Sequence, residues 1–468
     1  LYHVYIFYYS MSLIPKVFLR ELYCFLSHAQ LLNFAKHNQR TRNVCEITKK
    51  KKKKKKAEGK IKRVIKREKD TVVGTFQNNK TFGFVVPDDK NFGTDIFISK
   101  NDFGKARNGH KVLVKITKYP SKGKKAEGKV IEVLGPPNQA GIDMLSLIKE
   151  YNLPARFPEP VVQEAQECGT EINKKEIPNR VDLRDHIIFT IDGEDAKDLD
   201  DAVRVIKLEN GNYRLDVHIA DVSHYVKDGS LLDREAYIRG TSIYLLGRVI
   251  PMLPRELSNG ICSLNAGQDR FTLSCSMEID NKGNVISSEV YKAVINVTER
   301  MSYKDVQTIL NKSDKKILKK YEKYIKDFET MAELAKILKQ RRINQGYLNL
   351  EIPESKIELD IEGKAIDVHP YEIYFSNEII EQFMLTANET IAEKFYWLDA
   401  PFIYRVHEEP DLDKVKELNQ FLYNFNLKIK VVNEKVYPKE FEKILEEIKG
   451  KEEERVISHF ILRTLKVA

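Results

Sequence analysis

The densest chemistry in the chain lies at Thr190-Ile191-Asp192-Gly193-Glu194-Asp195-Ala196-Lys197-Asp198-Leu199-Asp200-Asp201-Ala202. Six carboxylates fall within the ten residues from Asp192 to Asp201. Like charges this close are costly unless something neutralises them. A solvated surface loop is one reading of any acidic run. This run is framed by Ile191 before it and Ala202-Val203 after it, which suits a loop between two apolar strands, set in a cleft. Clustered carboxylate oxygens there suit a hard cation, Mg²⁺. A calcium EF-hand does not fit. Counted from Asp192, loop position 6 is Lys197 instead of Gly and position 12 is Val203 instead of Glu. His218 and His224, with Asp221, form another conceivable ligand set, but His218 sits in an alternating strand pattern, where packing is the expected role.

A second group of residues has a different chemistry. Lys80-Thr81-Phe82-Gly83-Phe84-Val85 is followed by Asp95-Ile96-Phe97-Ile98. Strand alternation puts Phe82 and Phe84 on one face, and Phe97 can join them from a neighbouring strand. Three rings flanked by Lys80 and further lysines make a stacking platform for single-stranded bases. The competing reading buries the same rings in a barrel core.

The elements that must hold these groups can be read from periodicity. Val72 to Phe76, Thr81 to Pro87, Asp95 to Ile98 and Lys111 to Thr117 read as short strands separated by Gly, Asn and Asp turns. Residues 141–176 read as helical with a Pro-rich break. Val181 to Ile191 and Ala202 to Ile206 read as strands on either side of the acidic loop. Tyr213, Leu215, Val217 and Ile219 alternate in a third. In Asn377–Trp397, Ile380, Phe383, Met384, Ala387, Ile391 and Phe395 share one helix face.

The basic half contains a repeat. VCEITKKKKKKKKAEGKIKRV at 44–64 aligns without a gap on LVKITKYPSKGKKAEGKVIEV at 113–133, an offset of 69. That period matches one small β-barrel and implies two copies. The upstream copy lacks the F-G-F strand: the offset places Met11 to Lys16 there. Residues 1–43 are therefore expected not to be authentic domain sequence, with 44–69 the remnant of a first barrel. The lysine run from Lys49 to Lys56 is expected in a solvated hairpin loop.

Composition narrows the class. The chain has 468 residues, 42% hydrophobic, 31% charged and 10% aromatic, a globular mixture. The net charge of +9 is uneven: residues 1–48 carry +3, 49–56 carry +8, 57–135 carry +9, and 136–468 carry −11. A basic polyanion-binding part thus precedes a part suited to holding cations. Five cysteines, none in a C-x-x-C pair, argue against a zinc ribbon or a disulfide frame and for a reducing compartment. With no uncharged apolar run near 20 residues and no signal-peptide pattern, a cytoplasmic location and no membrane partner are expected.

The K-x-F-G-F-V and D-I-F-I pair resembles the cold-shock domain, an OB-fold barrel. T-I-D-G-E-D-A-K-D-L-D-D-A-V resembles the catalytic signature of the ribonuclease II/ribonuclease R (RNB) family of 3′-to-5′ exoribonucleases. Val217 to Val226, Val249 to Leu264 and Tyr404-Arg405-Val406-His407 agree with it. The resemblance covers roughly residues 44–468, and the cold-shock repeat favours the ribonuclease R branch. It implies a multidomain chain, an OB-fold barrel at 70–135, a connector at 136–179, and an α/β (α+β) catalytic domain at 180–468 that is incomplete at its C-terminus. It implies that Asp192, Asp198, Asp200 and Asp201 hold Mg²⁺ and position the attacking water, that Tyr303 stacks on the last bases of RNA, and that Tyr244 is a weaker stacking candidate with a structural role as the alternative. Glu194, Asp195 and Lys197 fall at variable family positions. The segment from Met252 to Gly260 is expected to shape the channel and is assigned no chemistry. The implied substrate is single-stranded or structured RNA entered at its 3′ end and cut to 5′-mononucleotides, with ribosomes or RNA-decay components as further partners. The family's T-S-P-I-R-R-Y-type arginine segment and S1-type barrel have no counterpart up to Ala468, so a fragment with little or no exonuclease activity is expected. A non-catalytic RNA-binding or chaperone protein is the alternative from another class, and a DNA-directed nuclease also stays open.

Overall fold

The computed structural model describes residues 41–49, 58–67, 70–120, 124–347, 355–406 and 408–466, the first two stretches by their backbone. Strand β1 (Thr41–Lys49) pairs antiparallel with β2 (Glu58–Arg67). The lysine run between them, from Lys50 onward, lies outside the described residues, as do residues 1–40.

Five strands follow: β3 (Thr71–Asn79), β4 (Phe82–Pro87), β5 (Ile96–Ser99), β6 (Lys111–Lys118) and β7 (Ala126–Gly135). They close into a barrel in the order β3-β4-β5-β7-β6, which leaves no open sheet edge. Val72, Phe76, Val85, Ile96, Ile98, Val112 and Val114 fill it. The repeat is visible in the backbone. Register pairs Ile47↔Gly59, Cys45↔Ile61 and Val44↔Arg63 of the first hairpin recur, 69 residues on, as Ile116↔Gly128, Val114↔Val130 and Leu113↔Glu132. The register irregularities fall at the same steps in both hairpins.

The segment after the barrel divides its allegiance. Helix α1 (Ile142–Glu150) packs Ile142 and Leu145 against Val73, Leu113 and Leu134 of the barrel, and the Glu150 carboxylate accepts from the Val73 N–H at 3.0 Å. Helix α2 (Glu159–Glu167) buries Val161 and Ala165 in the core of the next region.

That region is built on β8 (Val181–Asp182), β9 (Phe189–Asp192), β10 (Asp201–Lys207), β11 (Tyr213–Ala220), helices α3 (Val222–Tyr225) and α4 (Leu231–Arg239), the hairpin β12 (Ile243–Leu245) and β13 (Arg248–Ile250), then β14 (Asp269–Ile279), β15 (Val285–Asn296) and β16 (Glu299–Ser302). Seven of these strands form one sheet in the order β16-β9-β10-β11-β14-β15-β8. The single strand expected at Val181 to Ile191 is corrected here. It is two short strands near opposite ends of the sheet. Arg184 folds back on Asp182 through its backbone N–H at 3.2 Å and Nε at 2.9 Å. Leu183 and Ile188 then bury themselves beneath the sheet, so their apolar character marks a crossing and not a continuous strand.

Alternation along β11 explains the layering. Tyr213, Leu215, Val217 and Ile219 face a helical layer of α5 (Tyr303–Asn311), α6 (Lys315–Lys320), α7 (Ile325–Asn344) and α8 (Phe375–Trp397). Phe328, Leu334, Ile380, Phe383 and Ile391 from those helices are fully buried against it. Each such side chain contributes about 1.5–3 kcal/mol by leaving water. The opposite face packs on α2, α4 and the segment Leu253 to Leu264. Between α7 and α8 lies the hairpin β17 (Ser355–Leu359) and β18 (Ala365–Pro370). Helices α9 (Leu412–Leu422), α10 (Pro438–Ile448) and α11 (Glu454–Thr464) share a core of their own, including Val415, Leu418, Phe441, Ile444, Ile457 and Ile461. Among the described residues no helix is long and apolar enough to cross a membrane.

Candidate active site

The sheet delivers the four aspartates. Asp192 ends β9, beside Ser302 of β16. Asp201 opens β10, opposite Ile219 of β11. Asp198 and Asp200 lie on the loop between, on either side of Leu199, which is 2% exposed and anchors the loop in the core. The Ala220 N–H holds the Asp200 carbonyl at 3.0 Å.

Electrostatics ties the four together. The Asp200 carboxyl is pushed up to about 7, first by desolvation and then by Asp198 and Asp192. Asp201 is likewise pushed up to about 7 by desolvation, Asp192 and Asp200. No cationic side chain is among the causes of either shift. Asp200 keeps an exposed surface, so water in the cleft screens part of the repulsion it feels. Glu194, Asp195 and Lys197 are exposed.

These residues fit Mg²⁺: the donors are all carboxylate oxygens, and Asp200 and Asp201 are raised by desolvation and by neighbouring carboxylates. The cluster is open. Among the described residues, the trio whose ligand atoms lie within 4.8 Å of one another is instead Glu358, Asp367 and His369, on the β17–β18 hairpin. Mg²⁺ keeps several waters when bound, so an open set of carboxylates suits it.

Two tyrosines flank the aspartates. Tyr244, on β12, is 56% exposed and its hydroxyl donates to Asp198 Oδ2 at 2.9 Å, so it is no core tyrosine. Tyr303 is the first residue of α5, whose N-terminus is capped by the Ser302 hydroxyl. It is half-buried, and its phenol is pushed up by desolvation and by Asp192 and Asp201. The histidine set does not assemble. His218 is fully buried and bonds Ser274 at 2.8 Å through Nδ1; burial pushes it down to about 4. Asp221 is taken by Arg180 at 2.7 Å in a buried pair.

On the barrel, Phe82, Phe84 and Phe97 form a triangle of half-buried rings with centroids 5.4, 5.9 and 6.0 Å apart. Phe84 and Phe97 are register partners, and the Lys125 ammonium lies 4.8 Å from the Phe84 ring centre. Lys80 is exposed at the start of this strand. Gly83 is required between the rings: a Cβ there would lie 2.6 Å from the Phe76 ring in the core.

Sequence reasoning passed over two residues that touch the acidic loop. Ser263 hydrogen-bonds it at 3.0 and 3.1 Å, and Arg300 at 2.7 and 2.9 Å. Their local signals were a serine in an apolar segment and an arginine two residues before Ser302, neither distinctive.

Residues 180–468 match the family model for the RNB domain. The chain belongs to the RNB family. Residues 84–158 match the model for the cold shock domain, so this RNB chain also carries the barrel type its aromatic strands suggest. Ribonuclease R of Thermotoga maritima is 45% identical over 413 residues, covering 88% of this chain and 58% of that protein. The chain spans about half the length of the curated relatives it matches. Among solved structures, Mycoplasma genitalium RNase R in complex with ribose methylated single-stranded RNA superposes with a TM-score of 0.81 at 26% identity, covering 91% of this chain and 67% of that one. The same protein in complex with double-stranded RNA gives 0.78 at 27% identity, covering 86% and 71%.

Proposed function

We propose that this RNB chain is the cold-shock and catalytic part of a Mg²⁺-dependent 3′-to-5′ exoribonuclease acting on single-stranded or structured RNA. The observation that carries the reading is the aspartate cluster. Two of its carboxyls, Asp200 and Asp201, are pushed up to about 7 by desolvation and by neighbouring aspartates of the cluster, with no cationic side chain among the causes. Asp192, Asp198, Asp200 and Asp201 would hold the metal, which when bound would supply an activated water and charge neutralisation at the phosphodiester. The chain's own residues do the rest. Leu199 fixes the loop, Tyr303 and Tyr244 border the cleft where terminal bases would stack, and Phe82, Phe84 and Phe97 with Lys80 offer a platform to the incoming strand.

The recurring hairpin register supports reading 44–69 as the last hairpin of a first cold-shock barrel, followed by a barrel at 70–135 and the catalytic domain from 180.

The test is a 5′-labelled RNA with a free 3′ end, incubated with the chain and Mg²⁺. Shortening from the 3′ end that Asp200→Asn abolishes supports the reading. RNA binding without any shortening, equal in both proteins, favours the non-catalytic RNA-binding alternative, which the intact aromatic platform alone could serve.

A further inference from the structure

Residues 193–200 form a loop with little regular structure, yet a metal site needs its carboxylates held in place. Peptide groups in such a loop cannot all satisfy one another, and buried ones need partners from elsewhere. The partners come from two sides.

One is Ser263, whose side chain is fully buried. Its hydroxyl donates to the Lys197 carbonyl at 3.0 Å and accepts from the Leu199 N–H at 3.1 Å. Asp198 lies between those two residues and Asp200 directly follows them. One hydroxyl thus fixes the peptide groups on either side of Asp198. The neighbouring Leu264 N–H adds a bond to the Leu199 carbonyl at 2.9 Å. Ser263 is fixed in turn: buried Arg270 donates through Nε to its carbonyl at 2.9 Å and through Nη2 to the Gly260 carbonyl at 3.2 Å.

The other is Arg300 on β16, in register with Thr190 of β9. Its Nη2 donates to the carbonyls of Glu194 at 2.9 Å and Ala196 at 2.7 Å. Ser263 therefore holds the second half of the loop and Arg300 the first.

We infer that Ser263 and Arg300 are positioning residues that together set the spacing of Asp192, Asp198, Asp200 and Asp201, and thereby the metal affinity of the cluster. The inference rests on the metal-site reading above. It gives Ser263, three residues beyond the segment expected to shape a channel, a task at the site. Neither residue needs to touch metal or RNA to act.

The experiment uses the full chain with Mn²⁺ as the spectroscopic probe of the Mg²⁺ site, followed by the loss of the free-ion resonance signal. Ser263→Ala removes both hydroxyl bonds. Arg300→Lys keeps the positive charge while removing the planar fork, so any loss there reports geometry and not charge. Groups that orient metal ligands typically change affinity about 10–100-fold when removed. Both variants are expected to bind Mn²⁺ about 10-fold more weakly. Their affinity for a short single-stranded RNA in EDTA is expected to equal that of the unaltered chain, because the barrel platform is untouched. A folded Ser263→Ala chain with unaltered Mn²⁺ affinity overturns the inference. Should Ser263→Ala fail to fold, Arg300→Lys decides alone, and unaltered affinity there overturns it. Equal Mn²⁺ binding by the unaltered chain and Asp200→Asn is a different failure: it removes the metal-site reading and the inference with it.

Discussion

At the scale of single residues, the aspartate cluster sets a pH signature. The Asp200 and Asp201 carboxyls lie at about 7 in the folded chain against an ordinary value of 3.8. A carboxyl raised on folding favours the folded state while protonated. That stability is complete below about pH 4 and is lost as pH rises through about 7. In EDTA, the melting temperature should therefore fall between pH 4 and 7 more steeply for the unaltered chain than for Asp201→Asn, as scanning calorimetry would read. Mg²⁺ should raise the melting temperature most above pH 7, where the carboxylates are charged and crowded. Tyr244 offers a second residue-scale test. Tyr244→Phe keeps the ring but deletes the bond to Asp198, an interaction worth about 0.5–1.5 kcal/mol. It should weaken Mn²⁺ binding a few-fold and leave RNA affinity unchanged, whereas Tyr244→Ala should lower both.

At the scale of elements, β4 and β5 build the platform because each alternates a ring outward with a small or aliphatic residue inward. Base–aromatic stacking is worth about 1–3 kcal/mol per base. Phe84→Ala, which removes the ring under Lys125, should weaken binding of a short single-stranded RNA by roughly 5- to 150-fold with little change in melting temperature. Gly83→Ala should act in the opposite way. Its Cβ would collide with Phe76, and overpacking of this kind costs about 1–3 kcal/mol, visible as barrel destabilisation in thermal melts. The barrel strands were legible because short alternating runs between Gly, Asn and Asp turns have one sensible arrangement. The run at 181–191 was misread because apolar character marks burial, not direction: the chain dives under the sheet between Asp182 and Phe189, and only the Asp182–Arg184 turn hints at it.

At the scale of the whole molecule, one sheet separates two cores and presents its carboxylates from the ends of β9 and β10. The acidic loop was legible because apolar residues bracket it, whereas the choice of Asp192, Asp198, Asp200 and Asp201 within it came from the family resemblance. The groups that hold them were not legible. Ser263 and Arg300 reach the loop across 66 and 104 residues of sequence, and nothing local to a serine or an arginine announces a partner that distant. The bond from Tyr244 to Asp198 spans 46 residues and is equally without a local signal. The division of charge between a basic first part and an acidic second part now has a structural meaning. The basic part contains the aromatic platform, and the acidic part contains the crowded aspartates. The measurement that tests this most directly is calorimetric titration of the full chain with Mg²⁺ at pH 7 in two buffers of different ionisation enthalpy. The account predicts binding that releases protons from the raised carboxyls, with both binding and proton release lost in the Asp200→Asn, Asp201→Asn double variant. Binding without proton release, or binding that survives in that variant, would contradict it.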